Sequence, residues 1–427
     1  MSRAAAKKLG RWLDELGRVS DEPGKLTRTF LSPAMRRANA LVEKWMRDAG
    51  LAVREDAFGN LIGRAEAASR NRDESRRPRP AKTLLLGSHL DTVRDAGRFD
   101  GALGVLLPIA ALAELRRRGV ALPFAVEVLG FSEEEGVRFS SAYLGSKGYT
   151  GQLRATDLKL RDQDGATVRE AIARWSGGIS ATAQRRNAAR TPRPQQLLGY
   201  LEVHIEQGPV LEDEKLALGV VSAIAGQTRG RLIFRGQAGH AGTTPMPLRR
   251  DALAGAAEFI LSAELFARKN APLVATVGTI AASPGAANVI PGAVTLSLDV
   301  RHPRDVSRRA ALRALVADAK KIARRRGLTC DWETKQDNGA VACAPELTAL
   351  LARSVRAVQG RSLTLVSGAG HDAVVVSALA PVAMLFVRCR GGLSHHPDES
   401  VAPADLERAL NAVLDFLARL AQQEKRA

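Results

Sequence analysis

The sequence predicts an α/β protein in two parts: a large mixed-sheet domain, and a smaller α+β domain of ferredoxin-like order inserted into it. Three observations lead there. Apolar runs of strand length alternate with helical apolar spacing through the first half of the chain and again near its end. From Leu218 to about Lys335 the order changes to β-α-β-β-α-β, a unit that closes on itself. At 427 residues the chain is also too long for one small core. The large domain is expected to take residues 1–217 and 336–427, and the insert 218–335.

Each element has its own warrant. Residues 30–50 carry helical spacing, and Leu51–Val53 with Asn60–Gly63 reads as a hairpin around Asp56-Ala-Phe-Gly59. Ala65 to Lys82 is a polar, proline-containing loop. Thr83–Gly87 and Phe124–Gly130 are unbroken apolar runs, hence strands buried on both faces, and Gly101–Arg118 between them is a helix stopped by Gly119. One helix, Thr167–Trp175, precedes a loose Arg/Ala/Pro stretch that ends near Pro194, and Leu198–His204 is the next strand. The insert reads as strand Arg231–Phe234, helix Asp251–Ala267, strands Leu273–Ile280 and Val294–Val300, helix Val306–Arg325 and strand Leu328–Glu333. Helix Pro345–Gln359, the glycine-rich Ser367–His371, strand Val382–Val387 and helix Pro403–Gln423 complete the large domain.

Composition narrows the function classes. An apolar fraction of 45% with 25% charged residues belongs to an ordinary globular protein. The N-terminal charges precede no apolar segment, so neither a signal peptide nor a membrane span is expected, and the chain reads as cytoplasmic. Cys330, Cys343 and Cys389 are odd in number and widely spaced, as reduced thiols are. The net charge of +18 is spread over solvated helix faces such as Arg116–Arg118 and Lys320–Arg326, and only 4% of residues are aromatic. That pattern excludes nucleic-acid binding as the function and leaves a positive field that draws in a small anion.

Four segments at strand ends hold the chemistry. They are Gly87-Ser-His-Leu-Asp-Thr-Val93 with Phe99-Asp-Gly101, then Phe131-Ser-Glu-Glu-Glu-Gly136, Glu202-Val-His-Ile-Glu-Gln-Gly208, and Gly392-Leu-Ser-His-His-Pro397. Four of the seven histidines fall in them. Ligands in an open α/β sheet bind beyond the carboxyl ends of the strands, so one crevice can collect His89, Glu134, Glu135, His204 and His395. Imidazole and carboxylate suit borderline divalent metals, and a pair of ions needs a shared carboxylate, for which Asp100 is placed. Three adjacent glutamates repel one another, which folding alone does not favour. A metal can take one of them while another removes a proton from water. His302 and His371 read as structural, the latter followed by a polar Asp372. His240, in Gly236-Gln-Ala-Gly-His-Ala-Gly242, is flanked by small residues and reads as an imidazole offered to a ligand.

In these motifs, and in their order over roughly residues 30–420, the chain resembles the dinuclear-metal amidohydrolases related to aminoacylases and carboxypeptidases. The branch is that of allantoate amidohydrolases, N-carbamoyl-L-amino-acid hydrolases and β-ureidopropionases. The resemblance implies a metallohydrolase catalytic domain with a lid and dimerisation insert. It also implies two divalent ions, with Zn²⁺, Mn²⁺, Co²⁺ and Ni²⁺ all compatible. One ion would lie on His89 and His204 and the other on Glu135 and His395, with Asp100 bridging and Glu134 as general base. Ser394-His395-His396-Pro397 offers two imidazoles, of which His395 holds the family's ligand place. His240 matches a residue that reaches into the partner subunit of a homodimer to polarise the scissile carbonyl. Arg229, Asn288 and Arg301 match substrate contacts, and Gln207 is a further candidate.

The implied substrate is a small anionic ureido compound. Asp95-Ala-Gly-Arg-Phe99 is more similar to the loop of the allantoate-hydrolysing members than to the Asn-Gly-Gly-Asn of the carbamoylases. N-carbamoyl-amino acids and N-carbamoyl-β-alanine stand as alternatives. A peptidase or deacylase, and a non-catalytic binding relative, are readings from other classes. The paired arginines oppose the peptidase, and the intact ligand set opposes the binding relative.

Overall fold

The computed structural model describes residues 2–68, 81–177 and 196–426. Most of the expected polar loop before Lys82 and of the Arg/Ala/Pro stretch before Pro194 lies outside these residues. The chain forms two compact units, residues 1–222 with 343–427, and residues 223–342. The sequence pattern places the insert at 218–335. The observed unit begins and ends a few residues later. Leu218 opens a strand of the large sheet, and the last long strand of the small sheet runs on to Asn338.

In chain order the strands are β1 (Ala52–Glu55), β2 (Leu61–Ala65), β3 (Thr83–His89), β4 (Ala125–Phe131), β5 (Leu197–Ile205) and β6 (Leu218–Ile224). The second unit holds β7 (Gly226–Arg235), β8 (Gly239–His240), β9 (Val274–Thr276), β10 (Ile280–Ser283), β11 (Val289–Ile290), β12 (Ala293–His302), β13 (Thr329–Asn338) and β14 (Val341–Ala342). β15 (Leu363–Ser367) and β16 (Val382–Val387) return to the first.

The large sheet has the order β1-β2-β4-β3-β5-β16-β6-β14, with β15 also on β6. Its centre, β4-β3-β5-β16, is parallel, and its flanks are antiparallel. β3, β4 and β16 are buried at every residue, as strands covered on both faces must be. The helix Ala102–Arg117 is apolar nearly all round and is buried from Ala102 through Leu112. It packs on β3 and β5 and against the helices Arg3–Leu16 and Pro403–Arg426. Because the central strands are parallel, His89, Phe131, Ile205 and Val387 end at one edge of the sheet.

The small sheet has the order β10-β12-β7-β13, with β9 also on β12, and all its pairings are antiparallel. Along β12 the residues Val294, Leu296, Leu298, Val300 and His302 are buried and alternate with half-buried ones. Helices Ala252–Lys269 and Asp305–Arg325 cover the buried face with Ala256, Phe259, Leu315, Ala319 and Ile322. The expected single strand Leu273–Ile280 is divided into β9 and β10. The backbone N–H groups of Gly278 and Thr279 leave the ladder to donate to Ser297 Oγ, at 3.1 and 2.9 Å. Helix Arg3–Leu16 and strands β6 and β15 were not anticipated. No helix of the described residues is long and apolar enough to cross a membrane.

Candidate metal centre

His89 closes β3, and its ring is fixed from behind. Nδ1 donates to the carbonyl of Asp91 at 3.0 Å, which leaves Nε2 as the lone-pair nitrogen, 3.4 Å from Asp100 Oδ1. His204, near the end of β5, is held in the same way. Its Nδ1 donates to the Ile205 carbonyl at 2.9 Å, and Nε2 faces the same Asp100 Oδ1 at 3.2 Å. Asp100 turns its other oxygen elsewhere: Oδ2 lies 3.7 Å from His395 Nε2, which is itself 3.5 Å from Glu135 Oε1. One carboxylate thus divides its oxygens between two sets of ligating atoms.

Three overlapping groups follow: His89, Asp100 and His204; His89, Glu134 and Glu135; and Asp100, Glu135 and His395. Within each, the ligating atoms lie within 4.8 Å of one another. Lone pairs and carboxylate oxygens that face each other repel unless a proton or cation lies between them. The titration behaviour says the same. Burial opposes charge on the His89 imidazole, but Asp100 and Asp91 outweigh it and hold the pKa well above the ordinary range. Burial, with Asp100 adding, raises Glu135 to about 8, and burial with Glu135, Asp372 and Asp91 drives Glu134 up despite His89. This donor set fits divalent cations, which would reverse those shifts.

The three glutamates do different work. Glu133 is buried, and its carboxylate accepts from the N–H groups of Leu144, at 3.0 Å, and Gly136. It is a backbone support. Glu134 and Glu135 have their own backbone N–H groups held by the two oxygens of Asp91, at 3.0 and 3.2 Å, which aims their side chains at the cluster. Asp91 was missed in the sequence although it lies two residues past His89. Its role depends on N–H groups 43 and 44 residues away.

Gly101 has φ +65°, and a Cβ there would lie 2.4 Å from the His89 ring. This glycine clears space for the imidazole. His395 has φ +58°, a left-handed value that is rare outside glycine and concentrates at functional sites. His396 points away, with Nδ1 accepting from the Asp398 N–H at 3.2 Å, and joins none of the groups. Gln207 donates to Asp100 Oδ2 at 2.8 Å and to Ser394 Oγ at 3.2 Å, so its amide faces the central carboxylate. His371 is buried against His204, ring centroids 4.6 Å apart, with Nε2 2.7 Å from Ser367 Oγ. It is packing behind the site; His302, in the small unit, accepts from the Arg304 N–H.

The remaining candidates share the small unit. His240 lies in the two-residue β8, opposite Val289 of β11. The Ala241 N–H donates to the Asn288 carbonyl at 2.9 Å, so the short ladder brings His240 and Asn288 together. Gly242 N–H donates to His240 Nδ1 at 3.0 Å, which places the ring proton on Nε2, directed outward as a donor. Arg229 of β7 and Arg301 of β12 converge on Asp299, at 2.7 and 2.9 Å, with Gln227 also donating to it. Burial works to raise that carboxyl, but the two arginines outweigh it and hold it below its usual range.

Known proteins are similar to this chain over most of its length. Residues 85–419 match the model of Peptidase family M20/M25/M40. "Allantoate deiminase 2" of Glycine max is 42% identical over 437 residues, covering 96% of this chain and 88% of that one. The N-carbamoyl-L-amino-acid amidohydrolase of Pseudomonas sp. (strain NS671) is 38% identical, covering 91% of each. Among solved structures, an amidase of the hydantoinase/carbamoylase family from Burkholderia multivorans superposes with a TM-score of 0.87 at 33% identity, over 97% of both chains. With relatives matched over most of their length and a family model that spans residues 85–419, the chain belongs to Peptidase family M20/M25/M40 and is one of its hydrolases.

Proposed function

We propose that this protein is a dinuclear-metal amidohydrolase that cleaves a terminal ureido C–N bond in a small anionic substrate, with allantoate as the preferred one. The observation that carries the reading is Asp100, whose two oxygens face different histidines. His89 and His204 would hold one ion and Glu135 and His395 the other, Zn²⁺ or Mn²⁺ first and Co²⁺ or Ni²⁺ as alternatives. Bound there, the ions would acidify a water and polarise the carbonyl.

The chain's own groups do the rest. Glu134 belongs to the group with His89 and Glu135, and among the described residues no backbone donor holds its carboxylate, so it can accept the proton of the attacking water and return it to the leaving nitrogen. The bond broken is one ureido C–N: the water oxygen joins the carbonyl carbon, the returned proton goes to the leaving amine, and the carbamate released then decomposes to ammonia and carbon dioxide. His240 offers Nε2–H to the developing oxyanion, in the site of the partner subunit of a homodimer. The guanidinium groups of Arg229 and Arg301 stand together on Asp299, and such forks bind a substrate carboxylate bidentately. Asn288 offers donor and acceptor to the ureido end, and Gln207, whose amide faces Asp100, is a further candidate contact. The small unit then serves as lid and dimerisation domain.

Allantoate ranks first on the Asp95–Phe99 loop and on relatives: four plant allantoate deiminases are 41–42% identical, and three carbamoyl-amino-acid amidohydrolases 35–38%. The test is kcat/KM for allantoate, an N-carbamoyl-L-amino acid and N-carbamoyl-β-alanine, read as ammonia release. Allantoate should be turned over fastest. A clear win for the α-amino acid derivative would overturn the substrate and leave the reaction class. Amino-acid release from dipeptides without ureido hydrolysis would replace the class itself.

A further inference from the structure

Glu399 is a buried carboxylate that neither the metal groups nor the substrate contacts use. Its Oε1 accepts two backbone donors from a loop 300 and 299 residues earlier in sequence, Phe99 N–H at 2.7 Å and Asp100 N–H at 3.1 Å. Its Oε2 is buried with no hydrogen-bond partner among the described residues. Its own N–H donates to the carbonyl of His396 at 3.0 Å, which closes the turn that follows His395. Gly97 leaves the room it occupies, since a Cβ there would come within 2.3 Å of Glu399 Cβ.

Folding alone gives little reason for this arrangement. A buried carboxylate with one bare oxygen is costly, and here it sits behind the like-charged Asp100. What it gains is a link between two loops. One loop carries Asp100, and the other carries Ser394 and His395. Asp100 must present one oxygen to each half of the site, and a rotation of its backbone by a few tenths of an ångström at Cβ would unbalance that division.

We propose that Glu399 is a positioning residue. Its Oε1 locks the Phe99–Asp100 backbone to the His395 turn, so that Asp100 can bridge two ions. The inference rests on the dinuclear reading above and adds to it the device that holds the bridge. What matters is an acceptor oxygen at that point, and the negative charge is incidental. Glu399→Gln supplies the same oxygen, Glu399→Asp withdraws it by one methylene, and Glu399→Ala removes it.

The experiment is equilibrium dialysis of Zn²⁺ against graded chelator for the wild-type protein and these variants, with melting temperature and kcat/KM alongside. Removing a group that orients a ligand typically lowers metal affinity by about 10- to 100-fold. Glu399→Ala and Glu399→Asp should lose at least about 10-fold for the weaker ion, while Glu399→Gln stays within about 3-fold of wild type. If Glu399→Ala does not fold, the Asp and Gln variants carry the comparison. Two ions bound by Glu399→Asp at wild-type affinity would overturn the proposal, as would a Glu399→Gln variant that loses zinc as far as the Asp variant. A wild-type protein that binds fewer than two ions would instead bring down the dinuclear reading, so the two failures are told apart.

Discussion

Glu134 and Glu135 are neighbours in sequence with the same side chain, and the structure separates them by what they face. Glu135 Oε1 lies against His395 Nε2, whereas Glu134 joins the group only beside His89. Glu134→Gln should therefore abolish turnover while both ions remain, because an amide cannot shuttle the proton. Elemental analysis of the variant checks it, and loss of an ion would make Glu134 a ligand. The two adjacent histidines part in the same way. His395→Ala should lose one ion selectively, and His396→Ala should keep both, since His396 is tied to the turn at Asp398. A zinc titration of each variant tests this, and the opposite result would move the ligand by one residue.

At the scale of elements, the hairpin turn between β1 and β2 supports the acidic loop. Asp56 accepts from the N–H groups of Phe58 and Asn60 and from the Asn60 amide. Asn60 in turn accepts from the Ser132 N–H and donates to the Gly145 carbonyl, bracketing Glu133. Burial raises the Asp56 carboxyl to about 6, against the hydrogen bonds from Asn60 and Phe58 that lower it. The folded state thus holds a proton that the unfolded state has released between about pH 4 and pH 6. Stability from this group falls as pH rises through that window and is lowest above it. Asp56→Asn removes the titration, so the stability of wild type minus that of Asp56→Asn should decline from about pH 4 to about pH 6 and then level. Urea melts of both proteins across that range measure it, and a flat difference would refute the shift. Such cross-links explain what the sequence could and could not disclose. Apolar runs ending in His or Glu pointed to the strand ends, and His89, Asp100, Glu135, His204 and His395, which the structure gathers into clusters, could be picked out from them. Asp91, Glu133 and Glu399 could not, because each acts on backbone N–H groups, which every residue type carries alike. Strand β6 reads as the opening of the insert because its apolar run has no partner visible in one dimension.

At the scale of the whole molecule, the candidate residues divide between the two units. Every proposed ligand and Glu134 belong to the first, while Arg229, His240, Asn288 and Arg301 belong to the second. In the proposed homodimer, one subunit can complete the site of another. His240 suits that role, because it is exposed and its Nδ1 is occupied by Gly242, so Nε2–H is the face it offers. His240→Ala should retain both ions and lose about 10²- to 10³-fold in kcat, the usual value of an oxyanion donor. The decisive measurement, which rests on the proposed homodimer, mixes that inactive variant with the inactive Glu134→Gln variant. If His240 serves the neighbouring subunit, each mixed dimer regains one site with Glu134 and His240 both intact, and the other site lacks both. Random exchange makes half of the dimers mixed, so activity should return to about one quarter of the wild-type value. If His240 acts within its own subunit, each site in the mixed dimer still lacks one of the two groups, and no activity returns. Exchange must be followed independently, by mass or by a label on one parent. Silence after proven exchange would then assign His240 to its own subunit or to no site at all.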